Sequence, residues 1–345
     1  MKMRLLGKAG IKVSELCLGA GNFGAAGPFI KYGKIEQKEA DLIVNMALEA
    51  GINFFNTAAT YSDGLSEKVL GKSLGSRRKD IILTTKVSSI LPPDVKEQCS
   101  LSYRYVVESC HSSLKRLGTD YIDLFELHNF DPKVPPEETL RALDDLVKQG
   151  KVRYIGCSNF TGWQLMKALA ISDGNHLERF TALESLYSLL ARGAEFELVP
   201  LCIDQGVSIV AWSPLHGGFL GGKYRKGQPW PGGTRLSSPD DQFVSFDIDK
   251  GYDIVEELYH IADRHKVSVP EVALNYLLQK PGITSLIIGV RKAAHLASNL
   301  KSLDLVLTPA EVSLLDRVSE PVRVYPYNSD MPGQWKRQGN RDKTV

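Results

Sequence analysis

Residues 105–158 read YVVESCHSSLKRLGTDYIDLFELHNFDPKVPPEETLRALDDLVKQGKVRYIGCS. One pattern runs through the segment twice. An amphipathic helical stretch ends at Gly118 and gives way to a short apolar run, IDLFELH (122–128). A second helical stretch opens on prolines and acids, closes with Lys148 and Gly150, and is followed by VRYIGCS (152–158). Acids at the start of a helix and a cation with glycine at its end suit the macrodipole and the cap. Apolar strands separated by helices require parallel pairing with both sheet faces covered.

The same alternation extends outward in both directions. ELCLGA (15–20), INFFNTA (52–58), IILTTKV (81–87), TALESLY (181–187), SIVAWSP (208–214) and SLIIGV (285–290) read as strands, and EADLIVNMALEAG as a helix capped by Gly51. The total of eight strands is the number that closes a (β/α)₈ TIM barrel. A doubly wound open sheet can also use eight, so the count favours the barrel without excluding the sheet. MRLLGKAGIKVS ahead of the first strand reads as a β-hairpin able to plug the barrel bottom. No linker-like boundary interrupts residues 1–345, which predicts a single domain. Two segments exceed short-loop expectations: residues 215–248, and the tail from about 320. In a barrel the first is a long loop over the C-terminal face, where active sites form. The tail reads as a lid or a disordered end, and Tyr325, Tyr327 and Trp335 favour order.

Composition narrows the function classes. A net charge of +2 with 24% charged residues gives no general reason to expect nucleic-acid or membrane partners. The N-terminus lacks a long apolar leader core, and no apolar run approaches the roughly 18 residues of a membrane helix. Cys17, Cys99, Cys110, Cys157 and Cys202 are odd in number and lack C-x-x-C spacing, as expected of reduced thiols in a cytoplasmic protein. Scattered histidines without H-E-x-x-H or Cys/His clustering predict no metal.

GAGNFG at 19–24 fits the G-x-G-x-x-G pattern and follows a strand. That fingerprint should open a helix, yet AAGPFIKYG follows, and the acids about twenty residues on, Glu36 and Glu39, start a helix instead of ending a strand. A flexible loop fits better than a dinucleotide-binding Rossmann turn.

Polar residues gather at the strand ends. Strand two gives Asn56 and, just past it, Tyr61; strand three gives Lys86; strand four gives His128; strand five ends in Ser158 and Asn159. Strand six carries Glu184 and Tyr187, and strand seven ends in Trp212, Ser213 and Pro214. A lysine closing an apolar strand is costly to bury without a partner. Tyrosine, lysine and histidine together suit proton transfer to a carbonyl oxygen. A free phenol, with a pKa of about 10, is a poor acid at neutral pH. A nearby ammonium lowers that value, and a histidine can orient the carbonyl. Taken singly, each residue also fits a plain structural role: a turn tyrosine, a snorkelling lysine, a hydrogen-bonded core histidine.

FNTAATYSDGLSE, TTKV, the LH of ELHNFD, KVRYIGCSNF, LYSLLAR, WSPLHGGFLGGKY and IIGVRKAAHLASNL stand in one order along residues 4–318. In these pieces the chain resembles the aldo-keto reductase family. The resemblance implies a (β/α)₈ barrel that binds a nicotinamide dinucleotide, usually NADPH, across its mouth and interconverts carbonyls and alcohols. It implies Tyr61 as general acid, Lys86 as the partner that lowers its pKa, and His128 as the carbonyl-orienting group. Ser158 and Asn159 would hold the carboxamide, and Tyr187 would stack on the nicotinamide. Ser213, Leu215, Gly218 and Lys223 would hold the pyrophosphate, with Gly289, Arg291, His295 and Asn299 around the adenosine. Gly19, Ala20, Gly21, Trp212, Pro214 and Arg235 are further candidate cofactor contacts. Arg291 and Lys292, at a helix start suited to anions, would favour NADP over NAD by contacting its 2′-phosphate.

The chain departs from the family pattern in four places. Asn56 stands where an aspartate pairs with the lysine, and Glu184 where a glutamine is usual; His295 and Ser298 replace an amide and an acid near the adenine. Without the aspartate, Lys86 is expected to release its proton more easily, unless Glu184 supplies the missing charge. The expected activity is NADP-dependent oxidation or reduction of a small polar substrate, such as a sugar. A nicotinamide-binding regulatory subunit, like the potassium-channel β subunits, and an epimerase that keeps its cofactor bound are the alternatives.

Overall fold

The computed structural model describes residues 1–24, 26, 34–87, 100–236 and 244–328. Eight parallel strands close into a barrel: β3 (Leu16–Gly19), β4 (Phe54–Asn56), β5 (Ile82–Val87), β6 (Ile122–Leu127), β7 (Val152–Ser158), β8 (Phe180–Leu186), β9 (Ser208–Trp212) and β10 (Ile283–Gly289). Closure comes from β10 pairing with β3, which rules out the open sheet. All eight expected strands are present, with ends shifted by a few residues.

The period-2 alternation of a strand explains both the core and the site. One phase, including Leu18, Phe55, Leu83, Phe125, Ile155, Leu183, Ile209 and Ile288, packs outward in the large cluster shared with the helices. The other phase points inward. Its lower layer is apolar: Cys17, Phe54, Leu124, Ala182 and Val210, with Ile82, Tyr154 and Ile287. Two residues further along, the same phase reaches Asn56, Thr84, Glu126, Gly156, Glu184 and Trp212. The strands are therefore apolar on both sides at the bottom and carry polar groups inward only near the mouth.

The N-terminal hairpin, β1 (Met3–Leu5) with β2 (Lys12–Ser14), seals the bottom. Its Leu6 and Val13 join the inner apolar layer. Between its strands, Gly7 donates to Ser208 Oγ at 2.6 Å. A Cβ there would lie 2.5 Å from Thr181 O at φ +59°, so glycine is required for the close approach.

Helices α1 (Gln37–Glu49), α2 (Leu65–Leu74), α3 (Tyr103–Leu117), α4 (Pro136–Lys148), α5 (Gly162–Asn175), α6 (Leu198–Gln205), α7 (Ile248–His265), α8 (Val269–Leu278), α9 (Ala293–Lys301) and α10 (Pro309–Val318) cover the sheet. Gly118 ends α3 in the left-handed conformation, as its sequence position predicts. GAGNFG forms the end of β3 and a turn; residues 25 and 27–33 lie outside the described residues, and α1 begins at Gln37.

The segment after β9 has a core of its own. Phe219 stacks on Tyr224 with ring centroids 5.1 Å apart and meets Trp230, Phe246 and Tyr252. Residues 237–243 lie outside the described residues. At the C-terminal end, Tyr327 stacks on Phe196 at 5.0 Å and donates to Glu197 at 2.9 Å. Trp335 and the rest of the expected lid, from residue 329, lie outside the described residues, as does Cys99.

Candidate active site

The loop after β4 carries Tyr61 to the barrel mouth. Thr57 and Ser66 hydroxyls meet at 2.7 Å, and Ser66 donates to Ala20 O, which pins the start of α2 against the end of β3. Ser62 and Asp63 take left-handed backbone, so the chain reverses directly after Tyr61. Gly21 lies against its ring, where a Cβ would stand 3.6 Å from it.

Lys86 is fully buried. Its ammonium donates to Asn56 Oδ1 at 2.8 Å and Thr57 O at 3.0 Å, and it stands 3.5 Å from the Tyr61 hydroxyl. Glu184 Oε2 lies 3.2 Å from the same nitrogen and accepts from Asn56 Nδ2 at 2.7 Å. The amide of Asn56 thus bridges the ion pair, oxygen toward the lysine and nitrogen toward the carboxylate. Burial alone would depress the lysine; Glu184, Tyr61 and Glu126 outweigh it and hold Lys86 above its ordinary value. The expectation that Lys86 loses its proton more easily is thereby corrected, because Glu184 carries the charge that Asn56 lacks.

Tyr61 requires a second correction. Burial raises its phenol above the ordinary value; the lowering by Lys86 is present but smaller, and Glu184 and Glu126 add to the rise. The lysine tempers the phenol without making it a phenolate. His128 meets the Tyr61 ring edge-on at 5.7 Å. Burial first, and Lys86 second, push its imidazole down to about 3, so it is neutral across physiological pH and can offer an N–H to an oxygen.

Asn159 adopts φ +58° at the end of β7 and works as a brace. Its amide nitrogen donates to His128 O at 3.1 Å and to Ser158 Oγ at 3.0 Å, while its oxygen accepts from Trp212 Nε1 at 3.0 Å. Tyr187 does not reach the mouth. It is 1% exposed, and its hydroxyl donates to Glu195 at 2.5 Å, inside a network with Arg192, whose guanidinium binds Glu195 through two nitrogens. A ring this far out of solvent, tied by its hydroxyl to Glu195, offers no open face to a ligand, so the stacking role assigned to it is corrected. The half-buried aromatic at that rim is Trp212.

Beyond Trp212 the chain turns tightly. Ser213, Gly217 and Gly218 all have positive φ; Ser213 Oγ accepts from Gly217 N at 3.0 Å, and a Cβ on Gly218 would meet nothing within 4 Å. Pro214 is buried and Leu215 half-buried in this turn. The N–H groups of His216, Gly217 and Gly218 are spent inside the turn on Ser213 O, Ser213 Oγ and Leu215 O, so what the glycines offer a ligand is close approach to the backbone. Further along the rim, Lys223, Lys292 and Arg291 all act on His295, whose imidazole is lowered first by burial and then by those cations. Arg291 donates to Gly233 O at 3.3 Å, and Arg235 lies close enough to His216 to depress it. Among the described residues a Cβ on Gly289 meets nothing within 4 Å, an open floor at the end of β10. An open floor, a glycine turn and three cations suit a nicotinamide dinucleotide with its two or three phosphate groups.

Several candidates stand apart from this rim. Ala20 and Asn299 are buried, and Gly19 packs on Ile287. Ser298 donates to Glu271, and Glu39 accepts from Ala293 N at 3.3 Å, which places a carboxylate at the start of α9 beside the basic group. The sequence reading missed Glu126, which is 1% exposed under the site. Its signal was the alternation in IDLFELH, where 124, 126 and 128 share one phase.

Comparison with known proteins gives a consistent result. The model of the Aldo/keto reductase family matches residues 15–320. An uncharacterized oxidoreductase of Bacillus subtilis, YrpG, is 35% identical over 92% of this chain and 96% of its own. The versiconal hemiacetal acetate reductase of Aspergillus parasiticus is 30% identical over 94% and 99%. A probable voltage-gated potassium channel subunit beta of Arabidopsis thaliana is 32% identical over 95% and 100%.

Proposed function

The chain belongs to the aldo/keto reductase family of oxidoreductases, and on that premise we propose that it interconverts a carbonyl and a hydroxyl on a small polar molecule, with Tyr61 as the proton donor and acceptor. The observation that carries this reading is Lys86 Nζ, 3.5 Å from the Tyr61 hydroxyl and paired with Glu184.

A nicotinamide cofactor supplies the hydride in reduction and accepts it in oxidation. The protein's part is to place and protonate the carbonyl. His128, neutral, donates to the substrate oxygen and orients it. Tyr61, protonated at neutral pH, gives its proton to that oxygen as negative charge develops there, and Lys86 stabilises the phenolate left behind. Trp212 and Ser158 would hold the nicotinamide end of that cofactor. The turn from Ser213 to Gly218, with Lys223, would hold the pyrophosphate, and Arg291 and Lys292 would favour NADP. Phe130 and Trp163, in edge contact at 5.7 Å beyond His128, offer flat apolar surface to a ring-shaped substrate such as a sugar.

NADPH consumption measured with a panel of aldehydes, ketones and aldoses, for the wild type and Tyr61→Phe, tests the reading. Turnover that depends on Tyr61 supports it. A second reading, a cofactor-binding regulatory subunit, is favoured by the similarity to the Arabidopsis channel subunit. Tight NADP binding with no turnover of any carbonyl would select it.

A further inference from the structure

Glu126 has no part in the chemistry described so far, yet it lies directly under it. It pairs in register with Lys86 across β5 and β6 and with Gly156 across β6 and β7. Gly156 makes room for it: a Cβ there would stand 3.0 Å from Glu126 Cγ, 3.1 Å from Oε1 and 2.9 Å from Ala182 O. The carboxyl group reaches that of Glu184 within hydrogen-bonding range, and Oε2 is fully buried and, among the described residues, receives no N–H or O–H. The titratable groups in electrostatic reach of Glu126 are Lys86 on β5, Cys157 on β7, Glu184 on β8, Cys17 on β3 and Tyr61 on the loop after β4.

Two carboxyl groups therefore share one interior with a single ammonium. Glu184 already accepts from Lys86 and from Asn56. Glu126 has neither donor, so its ionised form would be a second buried negative charge against the first. Like charges at such separation do not both ionise; one site keeps a proton, and a carboxylic acid beside a carboxylate is the stable arrangement. An oxygen that receives no hydrogen bond is what a protonated carboxyl, itself the donor, would present.

We propose that Glu126 carries a proton at neutral pH and donates it to Glu184, so that one negative charge, not two, faces Lys86. Glu126 is then a positioning residue. It orients the Glu184 carboxylate and keeps the interior neutral, which spares Tyr61 a further rise that would oppose phenolate formation. The catalytic consequence rests on the proposed role of Tyr61; the location of the proton does not.

Infrared difference spectroscopy on the full chain at neutral pH reads that proton without turnover. The wild type should show the C=O stretch of a protonated carboxylic acid, and Glu126→Gln should remove it. Glu184→Gln should remove it too, because Glu126 then becomes the carboxylate paired with Lys86. A wild-type spectrum without the band, or a band unchanged in E126Q, overturns the proposal.

Thermal unfolding of wild type and E126Q across pH gives a second, independent reading. Burial and the charge of Glu184 hold Glu126 well above the usual carboxylate range in the fold, whereas the unfolded chain loses this proton near pH ~4.3. The folded chain binds the extra proton, so this residue weakens the fold increasingly as pH rises above that value. The melting temperature of E126Q relative to wild type should therefore increase from about pH 5 to about pH 8. A difference that does not change with pH would also overturn the proposal. Loss of turnover in Tyr61→Phe tests the reductase reading separately, and neither result depends on the other.

Discussion

The carboxylate of Glu184 stands 3.2 Å from the ammonium of Lys86, with the amide of Asn56 hydrogen-bonded to both. The family's aspartate and glutamine are exchanged here for an amide and an acid. The negative charge has moved from β4 to β8 while the lysine keeps a counter-charge. We propose that Asn56 and Glu184 are one compensated change.

That compensation is measurable by a double-mutant cycle. Removing one member of a buried ion pair costs about 3–5 kcal/mol, because the other charge is left without a partner. Glu184→Gln should destabilise the fold in urea denaturation by less than that, because Glu126 ionises and becomes the partner of Lys86. Asn56→Asp alone should also destabilise it, by adding a carboxylate to an interior that already holds the Glu184 carboxylate and the Glu126 carboxyl group. The double variant, which restores the usual family arrangement, should recover most of both losses. Additive losses would mean that the two residues are independent.

His128 gives a pH signature. Its folded value is depressed to about 3 by burial, then by Lys86, while the unfolded value is about 6.5. The unfolded chain takes up a proton below that unfolded value and the folded chain does not. The stability contributed by neutral His128 is complete above pH ~6.5 and is lost as pH falls toward 3. Melting temperature should therefore fall more steeply across that window in the wild type than in His128→Asn. Parallel curves would show that the histidine is not held neutral.

The barrel was legible because its strands are nearly continuous apolar runs separated by capped helices. Lys86 and His128 stood out together with Tyr61, because polar residues closing successive apolar strands converge on one mouth, although each alone also fits a plain structural role. Two things were hidden. Whether Tyr187 or Trp212 faces the mouth depends on where β8 ends and which way the next residue turns, and residue type does not encode this. Tyr187 turned inward because Glu195, eight residues on, receives its hydroxyl and is itself held by Arg192. Glu126 was hidden for the opposite reason. Its alternation phase was visible, but an acid in an apolar strand declares its purpose only when Glu184 and Gly156 are found beside it.

The inward turn of Tyr187 separates two variants. Tyr187→Phe loses one hydrogen bond to a carboxylate, worth about 1.5–3 kcal/mol in stability, and should leave NADP affinity nearly unchanged. Trp212→Ala should weaken NADP binding and also loosen Asn159, which accepts from its indole. Fluorescence titration with NADP decides between them, and a larger affinity loss in Tyr187→Phe would return the stacking role to that residue.

Cofactor choice depends on the rim around His295. If Arg291 contacts a 2′-phosphate, Arg291→Ala should weaken NADP binding by about 1–3 kcal/mol and leave NAD binding nearly intact. Glu39, at the start of α9, works against that phosphate, so Glu39→Gln should shift preference further toward NADP. Equal losses for both cofactors in Arg291→Ala would remove the assignment.

Tyr61 carries the decisive test, and the sign of its shift makes it directional. Burial holds the phenol above its ordinary value even with Lys86 beside it, so the proton is present throughout the neutral range. Carbonyl reduction, which needs that proton, should be level with pH there and decline only at alkaline pH. Alcohol oxidation, which needs the phenolate, should climb with pH over the same interval. Tyr61→Phe removes the donor without removing the ring that packs on Gly21 and His128. Its kcat should drop about 10²- to 10⁴-fold, the usual range for a lost general acid, while NADP affinity holds. Retention of near-wild-type reduction in Tyr61→Phe would mean that the proton reaches the carbonyl from elsewhere. His128, the other residue proposed to touch the substrate oxygen, would then be the group to replace next.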